Sequence, residues 1–351
     1  MHRLPRIASA ATLVIAAAAC STAGPDDSAA PSTFTDAPVD DDLDAKLAGG
    51  PRLTPASAPS PPDLASPSLS DRSTGKTVPV LLFHQMCAVS CPSDATYGTT
   101  ILELARILAM FASEGYETIS IAQYAAFVKG HDVRLPARPV LVTFDDGRRD
   151  AWQGATDELL RAKARAVMYV ITAGPGSPDP KFMSWSEVEA MAASGAWDIQ
   201  LHAHAGHTYT QVGVDANGAP ELRHAYAWRR YLPETGELEP FEAWRARFAT
   251  DIVQGNALLA AHVPGYVPHT FAVPFGDYGQ FHSNDARIAS AIRSELDAGF
   301  VAWFTQPDPE PAFTKPGGAP EKSRYTVEKK TTAEDVRTWL RRRRPITGSS
   351  P

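Results

Sequence analysis

The sequence predicts an α/β protein made of parallel β/α units and large enough to close as a barrel. Three observations carry that reading. Short apolar runs of strand character alternate with segments of helical spacing. The alternating region, from about Val78 to Arg344, is about 265 residues long, which suits an α/β barrel better than a single ordinary core. The residue types best able to do chemistry directly follow strand runs, as they do where parallel folds build sites at C-terminal strand ends.

The N-terminus precedes that region and reads differently. Arg3 and Arg6 lead into a weakly apolar run from Ile7 to Ala19. Thirteen residues are too few to span a bilayer, which needs roughly 20, but they suit the core of an export signal. The run ends in Ala17-Ala18-Ala19-Cys20, which resembles a bacterial lipoprotein signal over residues 1–20 with Cys20 as the lipidated residue. The alternative is ordinary cleavage near Ala19. Either way the mature chain is expected outside the cytoplasm: lipid-anchored on the outer face of the plasma membrane, or in the periplasm or cell envelope.

Residues 21–76 are expected to be a disordered tether. They hold nine of the chain's 30 prolines and one aromatic, Phe34. Nine Asp face two Lys and two Arg. Such a segment cannot bury enough apolar surface to offset its ordering entropy.

From there the elements alternate. Val78 to Phe83 is a strand run. Thr99 to Glu114 has helical spacing through Leu102, Ile107, Leu108 and Phe111 and stops at Gly115. Val140 to Phe144 is a strand, Asp150 to Lys163 a helix and Ala166 to Ile171 a strand. Ser184 and Glu187 form a capping box for a helix ending at Gly195. Ile199 to Leu201, Thr270 to Val273 and Phe300 to Phe304 are further strands, and Phe241 to His262 is a long helix. Thr331 and Glu334 offer a capping box for a last helix through Leu340. The folded domain is expected over residues 77–345.

Composition narrows the function classes. The 351 residues are 44% hydrophobic and 21% charged, which excludes a wholly disordered chain. A net charge of −7 argues against a nucleic-acid partner. Three cysteines are too few for a disulfide scaffold. If Cys20 is lipidated, Cys87 and Cys91 are the only thiols left in an oxidising compartment, so a short-loop disulfide is expected, with two free thiols as the alternative.

Four segments could carry chemistry. Thr143-Phe144-Asp145-Asp146-Gly147 ends a strand in two adjacent carboxylates. Neighbouring residues leaving a strand point in different directions, so one carboxylate can bind a cation while the other stays free as a base. Asp-Gly is also a common turn. Leu201-His202-Ala203-His204-Ala205-Gly206-His207 puts three of ten histidines within six residues after a strand, which suits imidazole ligation of a borderline metal. His84 closes the first strand run. Val273-Pro274-Phe275-Gly276-Asp277-Tyr278-Gly279 is a Pro/Gly/aromatic loop after another strand. A glycoside hydrolase would need carboxylates flanking a sugar at about 5 to 9.5 Å, which adjacent Asp145 and Asp146 do not offer.

Together these motifs resemble the polysaccharide deacetylase family (carbohydrate esterase 4, NodB homology) over about Val78 to Trp303. Within it the chain is most similar to the poly-β-1,6-N-acetyl-D-glucosamine N-deacetylases, through His84, the five-residue step from His202 to His207, and the insertion around Arg229-Arg230-Tyr231-Leu232-Pro233-Glu234-Thr235-Gly236. The resemblance implies a distorted (β/α)7 barrel that hydrolyses N-acetyl groups of an N-acetylglucosamine polysaccharide. It implies one divalent metal, Zn2+ first, with Co2+, Ni2+ or Fe2+ as alternatives. Asp146, His202 and His207 would be its ligands, with His204 an extra imidazole ranked below His207. Asp145 would be the general base and His84 the general acid, with His224 next in line. Pro274, Phe275, Gly276 and Tyr278 would line the substrate groove. Two departures leave room for a non-catalytic, carbohydrate-binding lipoprotein on a degenerate scaffold. The family's usual arginine two residues before the proline is Ala272 here, and no histidine follows His282.

Overall fold

The computed structural model describes residues 76–306 and 313–342. The signal run with Cys20, the tether up to its last residue, and Arg343 and Arg344 lie outside them. Lys76, counted with the tether from sequence, donates hydrogen bonds to the carbonyls of Leu135 and Pro136, 2.9 Å each, so it belongs to the folded part.

β1 (Val80–Phe83) is buried along its whole length. β2 (Gln85–Cys87) and β3 (Gly98–Thr100) form a small parallel pair after it. α1 (Ile101–Glu114) starts where the Thr100 hydroxyl accepts the Glu103 N–H, and ends at Gly115, whose φ of 73° only glycine adopts freely. β4 (Tyr116–Thr118) leads to α2 (Ile121–Val128), opened by a Ser120–Gln123 capping box. β5 (Arg138–Phe144), α3 (Arg149–Arg161), β6 (Ala166–Val170), α4 (Trp185–Ala193) and β7 (Trp197–Leu201) repeat the β/α rhythm, with the Ser184–Glu187 box in place before α4. Two antiparallel hairpins follow: β8 (Tyr209–Val214) with β9 (Pro220–His224), and β10 (Tyr231–Leu232) with β11 (Glu237–Leu238). α5 (Phe241–His262), β12 (Thr270–Ala272), α6 (Ile288–Gly299) and β13 (Ala302–Thr305) resume the alternation. β14 (Glu321–Ser323), β15 (Tyr325–Thr326) and α7 (Ala333–Arg342) end the described chain.

The main sheet runs β14-β13-β12-β7-β6-β5-β1-β15, all parallel, with β4 beside β5. β14 and β15 are two halves of one segment, parted by Arg324. The first half pairs with β13 at one edge and the second with β1 at the other. This joins the edges into a nearly closed barrel of eight parallel strands. The seven expected from sequence are recovered if that split segment counts as one.

Strand residues alternate between two apolar layers. Val80, Leu141, Val167, Tyr169, Ala302 and Phe304 pack with Tyr124 and Phe127 of α2. Leu81, Phe83, Val142, Met168 and Trp303 pack against the other helices. Because β4 pairs with the N-terminal half of β5 and leads into α2, that helix closes the end of the barrel opposite the C-terminal strand ends.

Several elements escape the sequence reading: α2, α6, both hairpins and the split last segment. One is shifted. The cap of α7 is Thr332 with Asp335, not Thr331 with Glu334. The Thr332 hydroxyl accepts the Asp335 N–H at 3.2 Å, and the Asp335 carboxylate accepts the Thr332 N–H at 2.9 Å.

Candidate active site

β1 and β5 are adjacent in register, Phe83 opposite Phe144, so His84 and Asp145 leave neighbouring strands at the same end. The Asp145 N–H still donates to the Phe83 carbonyl, at 3.0 Å, which keeps this residue in strand geometry with its side chain inward. Asp146 then turns sharply, with φ 77°, and Gly147 follows at φ 73°. A side chain at 147 would press on Val170, so glycine is needed there for both reasons. Both carboxylates still reach one imidazole: His202 Nε2 is 3.7 Å from Asp145 Oδ2 and 3.6 Å from Asp146 Oδ1.

His202 directly follows β7 and is buried. Its Nδ1 lies 2.8 Å from the Ala272 carbonyl, so Nδ1 donates there and Nε2 is the nitrogen turned to the carboxylates. The position where the family's usual arginine is missing therefore orients a histidine through its backbone. His202 Nε2 is 3.6 Å from Asp146 Oδ1, and His207 Nε2 is 3.7 Å from the same oxygen. The ligating atoms of Asp146, His202 and His207 all fall within 4.8 Å of one another. Tetrahedral ligation with bonds of about 2.0–2.2 Å separates donor atoms by about 3.3–3.6 Å, close to the two separations from Asp146, so the three could hold one divalent cation. Burial, then the charge of His202, pushes the His207 imidazole down to about 4, which keeps it neutral as ligation requires. Burial alone would raise Asp146, but neighbouring charge, that of His84 foremost, holds it below the usual carboxylate range. His204 is outside this group: its Nδ1 is 3.0 Å from the Thr172 hydroxyl.

Asp145 meets a residue that sequence reasoning missed. Arg324, wholly buried where β14 gives way to β15, donates from both terminal nitrogens to both Asp145 oxygens, 2.7 Å each. Burial pushes Asp145 up, but the Arg324 charge, then that of His202, brings it down to about 2. Nothing in the sequence links positions 179 residues apart, and Arg324 sits in no motif. The only hint was the arginine lacking at Ala272. His84 stands beside the carboxylates. Burial lowers its pKa, while the charges of Asp146 and Asp145 oppose the shift. Its buried Nδ1 has no hydrogen-bond partner among the described residues, and its ring lies 5.0 Å from that of Tyr97. Cys87 and Cys91 are joined in a disulfide that closes the loop following β2.

The groove assignment needs correction. Of Pro274, Phe275, Gly276 and Tyr278, only Phe275 is presented at the site; the other three are buried. Tyr278 packs edge-on against Trp303 and donates its hydroxyl to Glu321, because Gly276, at φ 64°, turns the chain toward the barrel wall. Phe275 lies between His207 at 4.1 Å and His224 at 4.2 Å, the latter stacked nearly parallel at 7°. His224 is held by Asp277 at 2.7 Å. The fallback acid is therefore on the far side of Phe275 from His207. Asp146, Ala203 and Phe275 are three of the four non-glycine residues with left-handed backbone among those described. Such strain concentrates where a site over-determines its backbone.

Residues 132–290 match the family model for polysaccharide deacetylase. Among solved structures, the chain is similar to a de-N-acetylase from Aggregatibacter actinomycetemcomitans, with TM-score 0.62 and 18% identity over 76% of this chain and 100% of that one. It is similar to IcaB from Ammonifex degensii, with TM-score 0.55 and 24% identity over 76% and 97%. It is also similar to the BpsB deacetylase domain from Bordetella bronchiseptica, with TM-score 0.56 and 23% identity over 72% and 96%. No curated protein is significantly similar in sequence.

Proposed function

Because the chain carries a polysaccharide deacetylase domain, and so is a hydrolase of carbon–nitrogen bonds other than peptide bonds, we propose that it deacetylates N-acetylglucosamine units of an extracellular or cell-wall polysaccharide, in the first place poly-β-1,6-N-acetyl-D-glucosamine. The observation that carries this reading is the convergence of Asp145, Asp146, His84, His202 and His207 at the C-terminal ends of β1, β5 and β7. The β-1,6 polymer is favoured by His84 on the first strand, the five-residue step between the histidines, and the insertion.

Asp146, His202 and His207 would hold one divalent cation, Zn2+ by donor type, with Co2+, Ni2+ or Fe2+ as alternatives. When bound, such a cation polarises the acetyl oxygen and acidifies water. Asp145 takes the proton of the attacking water. Arg324 keeps this carboxylate ionised and pins its direction, at the cost of basicity. His84 donates a proton to the departing amine, without which an amide nitrogen is a poor leaving group. Acetate and a free glucosamine unit result. The product is cationic where the substrate was neutral. Export and lipidation at Cys20 would carry the enzyme to the outer face of the membrane, with residues 21–75 as the tether that lets it reach polymer.

Incubation of the zinc-loaded protein with defined β-1,6 and β-1,4 N-acetylglucosamine oligomers, followed by mass spectrometry, tests this. Loss of acetyl groups from the β-1,6 series first is expected. Binding of either series without acetate release would overturn the enzymatic reading in favour of a carbohydrate-binding lipoprotein.

A further inference from the structure

The two imidazoles of the cluster come from one loop with no regular structure between them. His202 is held by β7 and by the Ala272 carbonyl, but His207 is five residues further on. That stretch curls around a single buried carboxylate. Asp251 Oδ2 accepts the His204 N–H at 2.8 Å and also the Tyr226 hydroxyl, and Oδ1 accepts the Ala205 N–H at 2.8 Å. Ala203 reaches this arrangement only with a left-handed φ of 70°. Gly206 lies flat on the Tyr226 ring, and any Cβ there would run into it. From the opposite side, Thr172 and Ala173 donate their N–H groups to the carbonyls of Ala203 and His204, 3.1 Å each.

Asp251 is in an unusual place for a charge. The inner stripe of α5 reads Trp244, Phe248, Asp251, Gly255, Leu259, all buried. Gly255 lets the helix come so close to Leu201 that a side chain there would collide with it. An aspartate in that stripe costs desolvation unless its oxygens are filled, and they are filled by the loop that carries His207.

We propose that Asp251, braced by Tyr226, is a positioning residue for the metal site: it fixes the loop backbone so that His207 Nε2 meets His202 and Asp146 before a cation arrives. This rests on reading the Asp146, His202 and His207 cluster as a metal site. A loop ordered in advance loses less entropy on ligation, so its loss should appear as weaker metal affinity. Asp251→Asn keeps the shape but exchanges an acceptor for an NH2 group that opposes an N–H or O–H donor. Tyr226→Phe keeps the ring under Gly206 and removes only the brace.

The test is titration of the metal-free, full-length protein with Zn2+ against a chromophoric chelator, alongside thermal midpoints of the metal-free forms. Zn2+ affinity is expected to fall about 10- to 100-fold in Asp251→Asn, within the range for residues that orient metal ligands, and by less in Tyr226→Phe. A lowered midpoint with unchanged affinity in both variants overturns the proposal and leaves Asp251 a packing residue. If Asp251→Asn does not fold, Tyr226→Phe decides, and unchanged affinity there overturns it. A wild-type protein that binds no Zn2+ overturns the metal-site reading itself.

Discussion

Arg324 and Asp145 show how a single residue sets the chemistry around it. Both are buried, and the guanidinium satisfies both carboxylate oxygens. Removing one partner strands the other without solvent, which costs about 3–5 kcal/mol. Arg324→Met is therefore expected to destabilise the fold by about that much in denaturant unfolding. It should also raise the Asp145 pKa, moving the acid limb of kcat/KM to higher pH. A limb that stays in place would remove Asp145 from the role of base. His84 has its own signature. A general acid must be protonated, so activity falls above its pKa, and burial sets that pKa below the ordinary imidazole value of 6.5. The alkaline limb should begin below 6.5 accordingly. His84→Asn should abolish that limb and cost about 100- to 10,000-fold on the amide, but much less on an activated aryl acetate, whose leaving group needs no proton. Equal losses on both substrates would contradict the assignment.

At the scale of elements, capping decides where helices begin, and one residue of register is measurable. The α7 cap is Thr332, with reciprocal bonds to Asp335. Thr332→Ala is expected to cost about 1 kcal/mol of unfolding free energy. Thr331→Ala removes only an exposed bond from the Glu328 N–H and should cost less than half of that. The reverse order in chemical denaturation would restore the cap inferred from sequence. The hairpin β8–β9 matters for a different reason. It begins two residues after His207 and pairs Tyr209 with His224, so this hairpin grows from the edge of the Asp146, His202 and His207 cluster. Through the stacked Phe275 it brings His224 and Asp277 to the rim of the site rather than into it.

For the whole molecule, buried titratable groups predict acid sensitivity. Asp145 titrates near 2 in the fold and near 3.9 when unfolded. Its depressed value contributes stability that is present above the unfolded pKa and lost as pH falls from about 4 to about 2, on the order of 2 kcal/mol. In the metal-free protein, His207 acts in the same direction at higher pH. It is neutral when folded down to about 4 but takes up a proton below about 6.5 when unfolded, so stability already declines across that interval. Denaturant midpoints measured from about pH 7 to pH 3 should fall in both windows. His207→Ala should shrink the upper step, to which His84 also contributes, and Arg324→Met the lower one, to which Asp146 also contributes.

The alternation of strands and helices was legible in the sequence because hydrophobic periodicity is local, and the long α5 and the Ser184–Glu187 cap were read with it. The carboxylate pair and the histidine cluster were legible for the same reason: each lies within a few residues on one strand end. What periodicity could not show were β14 and β15, too short and too polar to register, and the hairpins, whose half-exposed strands bury little. The partners of the site were hidden by distance along the chain. Arg324 reaches Asp145 only because the last segment splits across the barrel seam, and Ala272 orients His202 only because β12 lies beside β7. Asp251 left a trace, a charge within an apolar helical stripe, but its meaning depended on which loop came to rest on that helix. Sequence determined the chemistry each strand end carries. The closing of the barrel decided how those ends face one another, because contacts that orient a buried charge or a ligand form between segments whose meeting is set by packing and not by neighbouring residues.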